Sequence, residues 1–283
     1  MTAERAQNLA RGVLVFDFDG VICDSWRECA LVTWNAYHNR PPAEFGIVTF
    51  DALPVGFIER FRELRGFARH LGHFLVPLLP ASDLIRTQED FDRCYSTLAL
   101  DTVDKFVTRA SRYRAMVRYG KRECWLALHH MYEGMPGLLS ELAAHLYVVT
   151  ARDSASVREL LSSHGIDLSL DQIYGEQQSK LAALADIQAR EGVEAERVHF
   201  VDDSLSNIVI AREAGHSVGW ATWGYSAPEH RDKAVRFGVP QLALSDLLAP
   251  ASAVNAWLSY RSAPRRPGEE DRNACSNADG GWF

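Results

Sequence analysis

The stretch GVLVFDFDG at residues 12–20 constrains this chain more than any other. An apolar run, Val13 to Phe16, leads straight into Asp17 and Asp19, separated by Phe18 and followed by Gly20. A short continuous apolar run that ends on a turn signal reads as a strand buried on both faces. Such strands belong to parallel sheets with helices covering both sides. In those folds ligands collect beyond the C-terminal ends of the strands. The first strand therefore carries two carboxylates to the place where chemistry is expected.

Later segments repeat the pattern. LYVVT (146–150), RVHFVDD (197–203) and SVGWAT (217–222) read as further strands, and Ile173 and Tyr174 as a short one. Helical patterns separate them. Residues 137–145 precede the second strand. DSASVRELLSSHG follows it, with Asp153 or Ser154 as cap and Gly165 as stop. SKLAALADIQAREG offers Ser179 and Gly192 in the same roles, and SLSNIVIAREAG ends at Gly215. Strands alternating with helices predict an α/β fold with an open, mostly parallel sheet.

Residues 25–132 break the alternation. They show helical periodicity, punctuated in the first half by Pro41, Pro42, Pro54, Pro77 and Pro80. A helical insertion between the first two strands of the sheet is the simplest account. The expected organisation is a core of residues 1–24 and 133–261 with a helical cap over 25–132. Residues 262–283, polar and rich in Pro, Gly and charge, are expected to be disordered.

The 283 residues carry a net charge of −7, which gives no general attraction for nucleic acid or an anionic membrane. No apolar run approaches a membrane span, and MTAERAQNLARG has no secretory character. The five cysteines, Cys23, Cys29, Cys94, Cys124 and Cys275, form no C-x-x-C pair. Free thiols in a reducing cytoplasm are expected. Neither a nucleic-acid nor a membrane partner is expected; a monomer and a homodimer are both open.

The strand ends carry a consistent polar set: Asp17 and Asp19 after the first strand, Thr150 on the second, Asp202 and Asp203 on the third, with Lys180 opening the helix between. Carboxylates that converge repel one another unless a cation joins them. An all-oxygen site suits Mg²⁺, which shares its shell with phosphate. A hydroxyl and an ammonium beside it would meet phosphoryl oxygens.

These segments resemble the four motifs of the haloacid dehalogenase superfamily. VFDFDGVICDS is similar to its first motif, D-x-D-G-T/V-x-x-D-S, LYVVT to the second, and Lys180 to the third. FVDDSLSNIVIAREAG resembles the fourth motif of the branch containing phosphoglycolate phosphatase and β-phosphoglucomutase. The resemblance covers about residues 12–222 and is weak inside the insertion. It implies a Rossmann-like core, a helical cap, Mg²⁺, and a phosphatase acting on a small phosphorylated metabolite.

By the same resemblance, Asp17 would be the nucleophile, forming an aspartyl phosphate. Asp19 would be the general acid and then base, and its backbone carbonyl would ligate Mg²⁺. Asp17, Asp202 and Asp203 would complete the metal site. Thr150 would bind a phosphoryl oxygen, and Lys180 would neutralise phosphate charge and orient Asp17. Dehalogenases of the superfamily lack an acid at the position of Asp19, so phosphate-ester chemistry is favoured. A sugar phosphomutase uses the same core residues and is the alternative; a non-enzymatic ligand-binding or regulatory protein is a third.

Three positions depart from the branch: Asn207 replaces Gly, Leu181 replaces the common Pro, and Ala151-Arg152 stands where Asn is frequent. Arg152 is a candidate substrate contact, with Gly20, Ala151 and the cap residues Arg65 and Arg69. Arg62, His70 and His73 belong to the same segment, which reads equally as the wet face of an amphipathic helix. Arg109, Arg112, Arg114 and Arg118 carry the same ambiguity. Asp24 and Ser25 are expected to turn the chain into the cap, Cys23 to be a buried inert thiol, and Trp26 and Trp34 to pack the cap.

Overall fold

The computed structural model describes residues 12–39, 49–143, 146–177 and 179–249. The expected tail over 262–283, the end of the core over 250–261, and Cys275 lie outside the described residues. The strands are β1 (Val13–Phe16), β2 (Cys23–Asp24), β3 (His130–Met131), β4 (Leu146–Val149), β5 (Ile173–Tyr174), β6 (Val198–Asp202), β7 (Ser217–Ala221) and β8 (Gln241–Leu242). Six of them form one parallel sheet in the order β5-β4-β1-β6-β7-β8.

Every residue of β1, β4 and β6 is buried, as continuous apolar runs require. Side chains alternate between the two faces. Leu14, Phe16, Leu146, Val148 and Val201 enter one apolar cluster. Val13, Val15, Tyr147, Val149, Val198 and Phe200 enter the other. The chain passes from β1 to one side of the sheet through β4 and β5, then returns to β1's other edge at β6. This reversal of strand order opens a crevice at the C-terminal ends of β1, β4 and β6. No sequence signal points to β8, whose two residues are too short to show periodicity.

Helices α1 (Trp26–Tyr37), α2 (Val55–Leu64), α3 (Gln88–Ser96), α4 (Leu100–Gly120) and α5 (Arg122–Leu126) lie between β2 and β3. Those two short strands pair antiparallel, Cys23 with Met131 and Asp24 with His130, so the chain leaves and re-enters the sheet region side by side. The inserted helices share a core with the sheet. Ala30 and Val32 of α1, Phe106 and Ala110 of α4, and Trp125 of α5 belong to the same cluster as Leu14 and Phe16. Burying a side chain the size of Phe106 contributes about 2 kcal/mol.

Helices α6 (Met135–Leu142), α7 (Ser154–Ser163), α8 (Lys180–Glu191), α9 (Leu205–Glu213), α10 (Pro228–Arg236) and α11 (Leu244–Leu248) complete the described α-helices. Asp153 caps α7 by accepting the Ser156 amide at 2.8 Å. Gly165 and Gly192 follow α7 and α8 in the left-handed conformation, as expected. Ser179 precedes α8 but makes no side-chain cap bond, so that expectation fails. Among the described residues no helix is long and apolar enough to cross a membrane.

Candidate active site

Backbone hydrogen bonds, ion pairs and side-chain hydrogen bonds fix the polar groups at the strand ends. The Asp17 amide donates to the Val201 carbonyl at 2.9 Å, which sets Asp17 against β6. The Thr150 amide donates to Tyr174 O at 2.9 Å, one residue past β4. Lys180, the first residue of α8, reaches back with its Nζ 2.7 Å from both Asp17 Oδ2 and Asp202 Oδ2. Asp203 lies one residue past β6. Its Oδ2 accepts the Tyr225 amide at 2.6 Å.

Asp17, Asp202 and Asp203 are buried, and each offers a carboxylate oxygen within 4.8 Å of the others. Burial pushes the Asp17 carboxyl up to about 7, with Asp202 adding to the shift and Lys180 opposing it. Asp203 is raised as well, by burial and then by Asp202 and Asp17. Lys180 moves the other way. Burial would lower it, but the two carboxylates outweigh that and hold it charged. Such a trio is unfavourable by itself and suits a hard divalent cation with oxygen ligands.

Asp202 is held more tightly than the other two. Besides Lys180, it accepts the Ser204 amide at 2.7 Å and the Asn207 side-chain amide at 2.9 Å. Asn207, a departure from the family pattern, thus has a local role. Two glycines allow loops to close over Asp203. Gly20 has φ +92°, and a Cβ there would fall 1.9 Å from Asp203 Oδ2. At Gly224 a Cβ would fall 2.2 Å from the Gly20 carbonyl.

The Asp19 side chain stands outside the trio. Arg152 donates to it from Nε at 3.1 Å to Oδ2 and from Nη2 at 3.0 Å to Oδ1. The Ser25 hydroxyl also donates to Asp19. Burial acts to raise Asp19, but Arg152 and Ser25 outweigh it and hold the carboxyl below its ordinary range. Arg152 Nη2 also lies 3.2 Å from Glu28 Oε2. Glu28, on α1, accepts Arg114 Nε at 2.6 Å and Nη2 at 3.0 Å. Two cations and two carboxylates thus form one chain of contacts from the loop after β1 to α4.

The predicted residues therefore separate into groups. Asp17, Lys180, Asp202 and Asp203 are in mutual contact. Thr150 is buried beside them, its hydroxyl accepting the Arg152 amide at 3.2 Å. Arg152 touches Asp19 rather than pointing to solvent, while Ala151 is exposed. Arg65 stacks 4.0 Å from the Tyr225 ring centroid. Arg69 is paired with Asp92 at 2.7 Å, which occupies its charge elsewhere. His70 and His73 stack on each other, 3.7 Å between centroids. Ser25 does not cap α1 with its side chain, because that hydroxyl serves Asp19. Cys23 is buried, with its thiol raised by burial and then by Asp19.

Glu28 and Tyr225 were not singled out in the sequence, and Trp220 only as part of the strand over 217–222. Glu28 sits among apolar residues in WRECALV, a pattern that marks a carboxylate on a buried face. Tyr225 donates its hydroxyl to Asp24 at 2.8 Å and accepts the Ser25 amide at 2.8 Å. Trp220 donates its ring N–H to the Asp203 carbonyl at 2.8 Å from inside β7. Only tertiary contact gives these two a role.

Residues 85–221 match the family model of haloacid dehalogenase-like hydrolases. This part of the chain is haloacid dehalogenase-like. The match starts after β1, so the placement of Asp17 and Asp19 rests on the sheet geometry. Three solved structures share the fold. A phosphatase predicted from Clostridium acetobutylicum has a TM-score of 0.55 at 12% identity, covering 88% of this chain and 99% of its own. A Lactobacillus delbrueckii protein provisionally named a phosphoglycolate phosphatase has a TM-score of 0.57 at 14% identity, covering 87% and 98%. A haloacid dehalogenase-like family hydrolase from Streptococcus pneumoniae has a TM-score of 0.53 at 17% identity, covering 88% and 98%. No curated protein matches the chain. At these identities the likeness establishes the fold alone; chemistry has to be argued from the site.

Proposed function

We propose that this chain is a haloacid dehalogenase-like hydrolase, a Mg²⁺-dependent phosphatase of a small phosphomonoester that acts through a phosphorylated Asp17. One observation carries the reading. A buried carboxylate, Asp17, is held by Lys180 at 2.7 Å in a trio of aspartates, with a second carboxylate two residues later held apart from them. A nucleophile and a separate acid on one loop is what ester hydrolysis in two steps requires.

Asp17, Asp202 and Asp203, with the Asp19 backbone carbonyl, would hold Mg²⁺. When bound, the ion would neutralise the trio and offset charge on the phosphoryl group. Lys180 keeps the Asp17 carboxylate oriented and adds positive charge beside the phosphoryl oxygens. The arriving phosphate monoester monoanion draws Arg152 toward itself and passes its proton to Asp19; the Asp17 oxygen attacks phosphorus, the ester P–O bond breaks, and Asp19 gives that proton to the leaving oxygen. Asp19 then takes a proton from water as that water attacks the phosphorylated Asp17, releasing phosphate and restoring the carboxylate. Thr150 donates its hydroxyl hydrogen to a phosphoryl oxygen.

The test is phosphate release from a panel of phosphomonoesters, phosphoglycolate among them, with Mg²⁺ and with EDTA, for the wild type and Asp17→Asn. Release that needs both Mg²⁺ and Asp17 supports the reading. Release that survives Asp17→Asn would remove it. Turnover only with a sugar bisphosphate activator would move the assignment to a phosphomutase.

A further inference from the structure

Beside the carboxylates lies a pocket of about 240 Å³, walled on one side by the inserted helices and on the other by the loop after β7. Its position is set by two close approaches. Gly66 lies so near this loop that a Cβ there would fall 2.6 Å from the Ser226 carbonyl carbon. Tyr225, whose amide donates to Asp203, forms part of the same wall. The pocket therefore opens one residue layer from the proposed phosphoryl site.

Arg62 and Arg65 both line this pocket. Neither is ion-paired with a carboxylate among the described residues, in contrast to Arg152 and Arg114, which are matched by Asp19 and Glu28. Arg62 stands 5.5 Å from the centroid of Trp26. Arg65 gives one nitrogen to the Ala68 carbonyl, and its buried Nε has no hydrogen-bond partner. The pocket's carboxylate, Asp24, already accepts the Tyr225 hydroxyl. Two guanidiniums against one carboxylate leave the pocket positive. Trp26, Tyr132 and Trp223 add aromatic carbon to its wall.

We propose that this pocket receives a second acidic group of the substrate, a carboxylate or a further phosphate, carried on a flat apolar body. The inference rests on the phosphatase reading for the position of the reacting phosphate. Guanidinium forks match carboxylate and phosphate oxygens in planar geometry. Aromatic walls favour a ring over a hydroxylated chain, because hydroxyls would lose water without gaining partners.

Phosphonates, which the enzyme cannot hydrolyse, separate binding from turnover. Calorimetric titration in Mg²⁺ would compare phenylphosphonate, para-carboxyphenylphosphonate, para-phenylenediphosphonate and phosphonoacetate. The expected result is that either para acid binds about tenfold or more tightly than phenylphosphonate, the scale of one charge-assisted contact. The two acids tell a carboxylate preference from a phosphate preference. Phosphonoacetate, which has the acid but no ring, should bind more weakly than para-carboxyphenylphosphonate. In Arg62→Ala, at an exposed position outside the apolar core, the advantage of the acid should shrink to near unity, and Arg65→Met should reduce it too. Equal binding of all four compounds, or an advantage that survives Arg62→Ala, would overturn the inference. Phosphate release from phenyl phosphate is measured alongside. Turnover without an acid advantage removes only the pocket assignment. An acid advantage without turnover of any ester removes only the phosphatase reading.

Discussion

Arg152 grips Asp19 from two nitrogens, Nη2 at 3.0 Å from Oδ1 and Nε at 3.1 Å from Oδ2, with the guanidinium buried at 3% exposure. The residue that would deliver the leaving-group proton is thus held by a fixed cation. Asp19 is positioned, but as an ionised acceptor. In the proposed reaction the incoming phosphate is a competing partner for that guanidinium, so Arg152 couples substrate arrival to the freedom of Asp19.

Asp19→Asn is expected to lower kcat for alkyl phosphates by about a hundredfold to ten-thousandfold, the usual worth of a positioned acid–base group. For a nitrophenyl ester, whose leaving group needs little protonation, the loss should be much smaller. Steady-state rates on the two esters check this; equal losses on both would count against the acid role.

Arg152→Lys keeps the charge but removes the fork. The ratio of alkyl-ester to nitrophenyl-ester turnover should fall by about tenfold, one lost charge-assisted hydrogen bond. An unchanged ratio would show that Arg152 does not act through Asp19.

Glu28→Gln leaves Arg114 and Arg152 without the carboxylate that both contact at 1% exposure. Uncompensated buried charge of this kind costs about 3–5 kcal/mol. Urea denaturation should show a matching fall in the midpoint with an unchanged slope.

Asp203→Asn removes one member of the repelling trio. The metal-free variant should melt at a higher temperature than the wild type, because like charges at this spacing are unfavourable. Mg²⁺ should raise the melting temperature of the wild type by mass action and leave the variant unmoved. Thermal scans with EDTA and with Mg²⁺ decide both points.

Acid should destabilise the fold early. Burial lowers His129 to about 4, with Arg152 adding to it, and lowers His199 to about 4, with Arg197 adding to it. Between the ordinary histidine value near 6.5 and about 4, the unfolded chain binds protons that the folded chain does not. Stability therefore falls as pH drops through that window, by at most about 3 kcal/mol for each group. Asp19 and Glu28, also lowered in the fold, extend the loss further into acid. Asp17 and Asp203, raised in the fold, act in the opposite sense over the same window, so the check is a comparison with His199→Gln: the denaturation midpoint should fall more with acid in the wild type than in the variant, and parallel profiles would contradict the burial of the ring.

The sheet was legible because its strands are buried on both faces. Val13–Phe16, Leu146–Val149 and Val198–Asp202 had to be written as continuous apolar runs, and a run that ends on aspartate announces a strand end carrying charge. Asp17, Thr150, Lys180, Asp202 and Asp203 were found from the sequence because each sits at an element boundary, which local pattern marks. What local pattern does not encode is which distant side chain meets which. That Arg152 meets Asp19 and Glu28, that Asn207 supports Asp202, that Arg69 pairs with Asp92 while Arg65 lies on Tyr225, all depend on how inserted helices close over the strand ends. Charged residues on a helix look alike in sequence whether they face solvent or a buried carboxylate. Only packing removes the water that makes them equivalent, and packing is decided by the tertiary structure.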